Sequence, residues 1–328
     1  MKALRQLPLV VTTAAAAVAF FAALVVMSTI AGWSGVLDRV HRTLSFWFPI
    51  AFVAEAAAFG AYVFAYRAVA RVEGGRRLGM REALELVAVG FGAFLAKGGA
   101  SLDSTALRSR GEDERDGEIR VLALDALEHA PLAPAACAAA IALLAEGRRK
   151  PGLDFTIPWS TLVPIGAVAA VLAVRRRDRF TGQPGWRGKL GDVLEAIHVL
   201  FRLASEWRRY WLGFVGASVY WAGDVICLWA SLKPFDAAPP FAGIVLAHAV
   251  GYVLTRRTLP LAGAGIVEVL MPLTLVASGA PFSGAILGVF VYRLFNLWLP
   301  FVPAAVALPR LRRRFGPSFR VRRTVSES

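Results

Sequence analysis

Apolar residues run along this chain in blocks of about 17–25, the length a helix needs to cross a bilayer. The blocks fall near 9–31, 46–70, 85–99, 119–145, 158–174, 211–232, 241–258, 262–279 and 284–308. Lipid offers no water to a backbone amide, so each crossing segment must satisfy its own hydrogen bonds, and helices do so. The two-residue alternation of a membrane barrel is absent. The pattern predicts an all-α, polytopic helical integral membrane protein of about seven to nine membrane helices.

The connectors at 71–81, 175–189, 202–209 and 310–323 are rich in Arg and Lys. Short basic loops beside apolar runs stay in the cytoplasm, so these connectors and both termini are expected there. Lys2 and Arg5 resemble the start of a signal peptide, but the run 9–31 is too long for one and has no clean cleavage site. An uncleaved first span is expected. Three full crossings cannot join the inside loops 71–81 and 175–189. The run 85–99 is the shortest, and Gly90, Gly92, Gly98 and Gly99 break it. It is therefore read as re-entrant, which protein or a water-filled cavity must surround. That placement leaves Arg148, Arg149 and Lys150 outside. In 190–210, Val193, Leu194, Ile197, Leu200, Phe201 and Ala204 share one helical face, while charged residues lie elsewhere. This suits a helix in the headgroup plane or a plain linker helix.

Two stretches are alike. Leu95-Ala96-Lys97-Gly98-Gly99 parallels Leu261-Ala262-Gly263-Ala264-Gly265, Gly111 parallels Gly279, and Pro131–Ala136 parallels Pro300–Ala305. The topology gives the copies opposite orientations, so inverted re-entrant hairpin repeats are expected, at about 85–145 and 241–308. Substrate sites in such architectures lie between the repeats near mid-membrane. The whole of 1–328 reads as a single transmembrane domain. A basic linker with an interfacial helix spans about 175–210, and a basic tail occupies 309–328.

Composition fits: 57% of the residues are hydrophobic, against roughly 45–50% in ordinary soluble domains. The formal net charge is +14. On a soluble protein that balance would suggest nucleic acid. Here it sits in loops, so it reads as topology and anionic lipid, and no nucleic acid partner is expected. The abundance of Ala and Arg fits a GC-rich bacterial genome, and hence a bacterial plasma (inner) membrane. Cys137 and Cys227 both fall in predicted helices without metal or disulfide spacing. No nucleophile–base pair, phosphate loop or HExxH motif is visible, so neither enzymatic chemistry nor a cofactor or metal is expected.

Ionisable residues inside apolar runs need a partner or a task. Arg293 lies in the last run, where it could bind a lipid phosphate or pair with Glu268. Glu268 follows a Gly-rich break. It could pair with Arg293, read a cationic headgroup, or stabilise a helix amino terminus. Arg256 and Arg257 could line a cavity or snorkel at the cytoplasmic face. Lys97 with Gly98 and Gly99, and likewise Gly263 with Gly265, could present charge and backbone amides to a phosphate. Close helix packing is the plainer role for those glycines. Glu128, beside Asp125 and His129, could face the cavity or make a polar contact between helices. Asp224 has the same two readings. The tryptophans read as belt or core.

The carboxy-terminal block Pro260, Gly263, Gly265, Glu268, then Gly279-Ala280-Pro281, then Tyr292-Arg293 resembles the lysylphosphatidylglycerol synthase transmembrane region, also called the YbhN-like or flippase-like family. Gly98-Gly99, Leu107, Gly111 and Glu128 look like the family's first hairpin and the helix after it. Lys97 stands where the family commonly has a proline, and Ala264 interrupts the Gly-Gly pattern. The resemblance implies a polytopic lipid-handling protein. In the multiple peptide resistance factor this region is the flippase half, ahead of a soluble aminoacyltransferase. No such second half is expected here. The implied function is binding and translocation of an anionic or aminoacylated phospholipid or a lipid-linked sugar, by passive or ion-coupled transport. The alternative is a non-transporting membrane partner of a glycosyltransferase or lipid-modifying enzyme.

Overall fold

The computed structural model describes residues 9–40, 45–92, 104, 106–107, 114–147, 151–253 and 263–315. Helices dominate these residues, and no strand occurs among them. In chain order they are α1 (Leu9–Ala31), α2 (Trp33–Val40), α3 (Trp47–Arg71), α4 (Met80–Gly92), α5 (Glu114–Ala145), α6 (Leu153–Val174), α7 (Trp186–Ser205), α8 (Trp207–Leu232), α9 (Phe241–Val253), α10 (Val267–Ala277), α11 (Phe282–Arg293) and α12 (Phe301–Phe315). Among the described residues, six helices are long and apolar enough to cross a membrane: α1, α3, α5, α6, α8, and α11 running on into α12. The protein is a polytopic helical membrane protein.

Helices α9 and α10 are different. They have 13 and 11 residues, about 20 and 16 Å at 1.5 Å per residue, against a hydrocarbon layer of about 30 Å. They pack against each other, so they make a pair of apolar half-length helices. The predicted run 85–99 starts earlier than expected, at Met80, and its continuation beyond Gly92 lies outside the described residues.

Small residues build the centre. Helices α3 and α8 make the most extensive pairing in the bundle. Gly213, Gly216 and Gly223 of α8 lie against Ala68, Ala61 and Ala54 of α3. A Cβ at Gly216 would sit 2.5 Å from the Ala61 carbonyl oxygen, and one at Gly223 would sit 2.6 Å from that of Ala54. Lipid tails are as apolar as leucine, so helices in a membrane gain by close van der Waals approach, and small residues permit it. On α5, Arg120 is buried and donates to the carbonyls of Val69, Ala70 and Val72. A cation there satisfies the carbonyls that α3 leaves open at its C-terminus and complements the helix dipole.

The amino end of α4 is clasped to the last helix by charge. Glu82 meets Arg76 at 2.6 Å and Arg314 at 3.2 Å, and Glu85 meets Arg81 at 3.3 Å and Arg310 at 3.5 Å. The other end closes on glycine, since a Cβ at Gly92 would lie 2.2 Å from the Ala304 side chain.

Several elements differ from the sequence expectation. The span expected at 211–232 begins at Trp207. The run 284–308 is not one α-helix. A π-helical segment, Leu294–Trp298, follows α11, and Leu299 N–H reaches back to the Leu294 carbonyl at 2.9 Å. Pro300, which has no N–H to give, separates it from α12. The matching prolines Pro131 and Pro134 lie inside an unbroken α5. Helix α2 was not expected; its Arg39 donates to the Phe235 carbonyl just past α8.

The face expected of α7 is split. Leu194 is buried against the bundle with Gly191, Val199 and Leu203, whereas Leu190, Val193 and Phe201 are exposed. Helix α7 packs on α5, α6 and α8. That contact takes one stripe and leaves a second apolar stripe outside. Helix α6 is exposed along nearly its whole length.

Candidate functional site

The residues before α10 turn through left-handed backbone, with φ of +70° at Gly263 and +89° at Gly265. Side chains rarely adopt such angles, so glycine serves both positions. The turn brings Gly265 N–H to Glu268, whose Oε2 accepts from it at 2.6 Å. A carboxylate reaching back three residues at a helix start satisfies an orphan amide and favours the dipole. The other oxygen, Oε1, accepts from Arg293 Nε at 2.7 Å. Arg293 and Glu268 are each 3% exposed. The guanidinium comes from the end of α11, so the pair ties α10 to the start of the π-segment.

One residue earlier, Tyr292 enters a second polar cluster. Its hydroxyl donates to Asp224 Oδ1 at 2.9 Å. Asn296 Nδ2, from the π-segment, donates to the same oxygen at 2.9 Å and to Glu55 Oε1 at 3.1 Å. Tyr252 donates to Asn296 Oδ1 at 2.8 Å. His248 Nε2 lies 3.1 Å from Asp224 Oδ2 and 3.3 Å from the Tyr292 hydroxyl. Tyr252 stacks on the His248 ring, and Trp221 meets both edge-on. Asp224 and His248 have no exposed surface, and Glu55 has 1%. The contributors are α3, α8, α9, α11 and the π-segment. Buried polar groups on this scale persist only where hydrogen bonds satisfy them.

The structure therefore brings together Arg293, Glu268, Gly263 and Gly265 from the sequence reading. The pairing of Arg293 with Glu268 and the helix-start role of Glu268 are both seen. Gly265 spends its amide on Glu268 and lies against Ala19 of α1, so it serves packing as well as the turn. Glu128 stands apart from this pair. It is buried on α5 and accepts from the Tyr62 hydroxyl of α3 at 2.9 Å, while its backbone carbonyl accepts from Trp221. That is the helix-to-helix polar contact. Asp125 and His129 interact with each other along α5. Lys97, Gly98, Gly99, Arg256 and Arg257 lie outside the described residues. Cys227 is buried and Cys137 half-buried.

Sequence reasoning passed over Glu55, His248, Tyr252 and Asn296. Two of them carried a signal, since Glu55 and His248 are ionisable residues within apolar runs. Tyr252 and Asn296 carried none.

No curated protein matches the chain. The family described as the lysylphosphatidylglycerol synthase TM region matches residues 9–304. A Gly-turned helix start bearing Glu268, a Tyr292-Arg293 pair at the end of α11 and a bundle of apolar spans all fall within that match, and the chain belongs to this family.

Proposed function

We propose that the protein binds the headgroup of a phospholipid or lipid-linked sugar inside the bundle and moves it across the bilayer. The buried Arg293–Glu268 pair carries this reading. An ion pair in a membrane interior is expensive, and bundles that keep one use it on a substrate or ion path. Arginine takes carboxylate and phosphate through the same planar fork. A headgroup phosphate can thus take the place of Glu268 on the guanidinium. An amine on a zwitterionic or aminoacylated headgroup can take the place of Arg293 on the carboxylate. The exchange leaves no net charge unpaired.

In this reading α9 and α10 form a re-entrant hairpin within the repeat 241–308, and the stretch 85–145 forms its inverted counterpart in the same domain. Both termini face the cytoplasm of a bacterial cell. Two packed half-length helices, the second entered through the turn at Gly263 and Gly265, support the hairpin, because irregular backbone at membrane depth is tolerated only inside protein or beside water.

The test is headgroup exposure in reconstituted vesicles that carry a fluorescent phospholipid in one leaflet. The protein should speed exposure in the other leaflet. Arg293→Ala and Glu268→Ala should each remove most of the gain. Full activity in Arg293→Ala would show that the headgroup sits elsewhere.

A further inference from the structure

We infer that α1 is a lateral gate: it covers the Arg293–Glu268 pair from the lipid side and swings about Gly32 to let a lipid chain follow its headgroup. The swing stands on the packing of α1; its passenger rests on the lipid reading above.

A buried pair that receives a headgroup sets a steric condition. A diacyl lipid cannot carry its tails into a polar cluster, so they stay in the hydrocarbon while the headgroup turns inward. The bundle must then open sideways, along a seam between helices. Arg293 and Glu268 are almost fully buried, so that seam is shut in this structure.

Helix α1 lies on the seam. It packs chiefly against α2, α10 and α11. Ala16, Phe20, Ala23 and Met27 recur at helical spacing and are buried, whereas Val18, Phe21, Val25 and Ile30 are exposed. Ala19 touches the glycine turn: a Cβ at Gly265 would lie 3.4 Å from the Ala19 side chain. Gly265 is also the residue whose amide binds Glu268. Phe20 stacks on Phe290 at 3.9 Å and meets Trp298 edge-on. Phe290 stands three residues before Arg293, so the two are neighbours on one side of α11. Turn backbone at membrane depth needs cover from protein or water. Helix α1 gives that cover here, and a hydrated headgroup gives it when α1 is drawn aside.

The hold on α1 is weak. Buried hydrogen bonds tie α3 to α5 and α8 to α11, as between Tyr62 and Glu128 and between Tyr292 and Asp224. Among the described residues, the side-chain hydrogen bonds of α1 stay within the helix or join Thr29 to Trp33 of α2. The Ser28 hydroxyl is buried without a partner. Contact with α10 and α11 is thus dispersion and ring stacking, which lipid tails can largely replace.

The hinge is built in. Gly32, between α1 and α2, has φ of +86° and nothing within 4 Å of where a Cβ would stand. Beyond it α2 is fixed, with Val36 buried and Arg39 donating to the Phe235 carbonyl. A few residues at the end of an element commonly absorb such a swing.

The experiment has two arms, both on the full chain with Cys137 and Cys227 replaced. In the first, spin labels go on Val18→Cys of α1 and Leu273→Cys of α10, which are exposed positions away from the seam. Pulsed electron resonance in lipid nanodiscs should show two distances, a shorter one for the shut seam and a longer one for the open. Phe20→Ala should enlarge the longer population. A single distance in both proteins would overturn the gate. In the second arm, Phe20→Cys and Phe290→Cys are joined by a short, reducible thiol crosslinker. Movement of a fluorescent phospholipid in vesicles should fall to the protein-free rate and return on reduction. Gly35→Cys with Ser283→Cys links the fixed α2 to α11, since a Cβ at Gly35 would lie 4.0 Å from Ser283 Oγ. That link should leave lipid movement unchanged. Full lipid movement with α1 linked would overturn the gate and leave the headgroup reading standing. Two distances without any lipid movement in the unlinked protein would keep the swing and remove the headgroup reading with its passenger.

Discussion

Arg293 Nε lies 2.7 Å from Glu268 Oε1, and both side chains are almost fully shielded from solvent. Such a pair is worth less than its Coulomb attraction suggests, because both ions must be desolvated. Removing one partner, however, strands a charge at a cost of about 3–5 kcal/mol. Arg293→Met should therefore lower the melting temperature in detergent sharply. Glu268→Met in the same chain should recover most of the loss, while lipid movement stays absent in both. A double variant no more stable than the single one would contradict this account.

The α3–α8 seam makes a second prediction. Gly216 has no room for a methyl group, since its Cβ would meet the Ala61 carbonyl and the Phe64 side chain. Gly216→Ala should destabilise the protein by about 1–3 kcal/mol, the usual penalty for overpacking. Gly60, inside α3, has nothing within 4 Å of its missing Cβ. There Gly60→Ala should be neutral or stabilising by up to about 1 kcal/mol, from helix propensity alone. Thermal unfolding of the two variants side by side is the check.

The clasp between α4 and α12 should behave differently from the buried pair. Arg310 and Arg314 have side chains 56% and 53% exposed, and exposed ion pairs contribute about 0–1 kcal/mol each. Glu82→Gln with Glu85→Gln should lower the melting temperature slightly at low salt. The difference should shrink at about 1 M salt, where screening acts over roughly 3 Å. A large, salt-independent loss would show that these carboxylates do more than bind the two helices.

Helix α7 carries an exposed apolar stripe that includes Trp186, Leu190, Val193 and Phe201. Such a stripe, with Arg and Lys nearby, suits burial at the headgroup boundary. An environment-sensitive dye on Val193→Cys, with Cys137 and Cys227 replaced, should shift to the blue when the protein enters anionic vesicles. The same dye on Arg202→Cys should shift much less. Equal responses would mean that the stripe is not in lipid.

The length of apolar runs made the long spans legible, because a bilayer imposes that length on every crossing helix. The Arg293–Glu268 pairing was legible for a related reason: two opposite charges in neighbouring apolar runs have few other partners. The π-segment was not legible. It depends on how the backbone settles before Pro300, which no periodicity encodes. Leu194 was not separable from the rest of the predicted α7 face, because packing against the bundle and exposure to lipid both select apolar residues. Tyr252 and Asn296 were invisible because an uncharged polar residue in a span looks like ordinary core until its partners are known.

Tyr292 and Arg293 are consecutive on α11, so their side chains leave the axis about 100° apart. One reaches Asp224 and the other Glu268. The helix therefore works as a crank with two pins. A roll that withdraws the guanidinium from one carboxylate also drags the phenol against the other, so neither contact can be broken without the other feeling the torque.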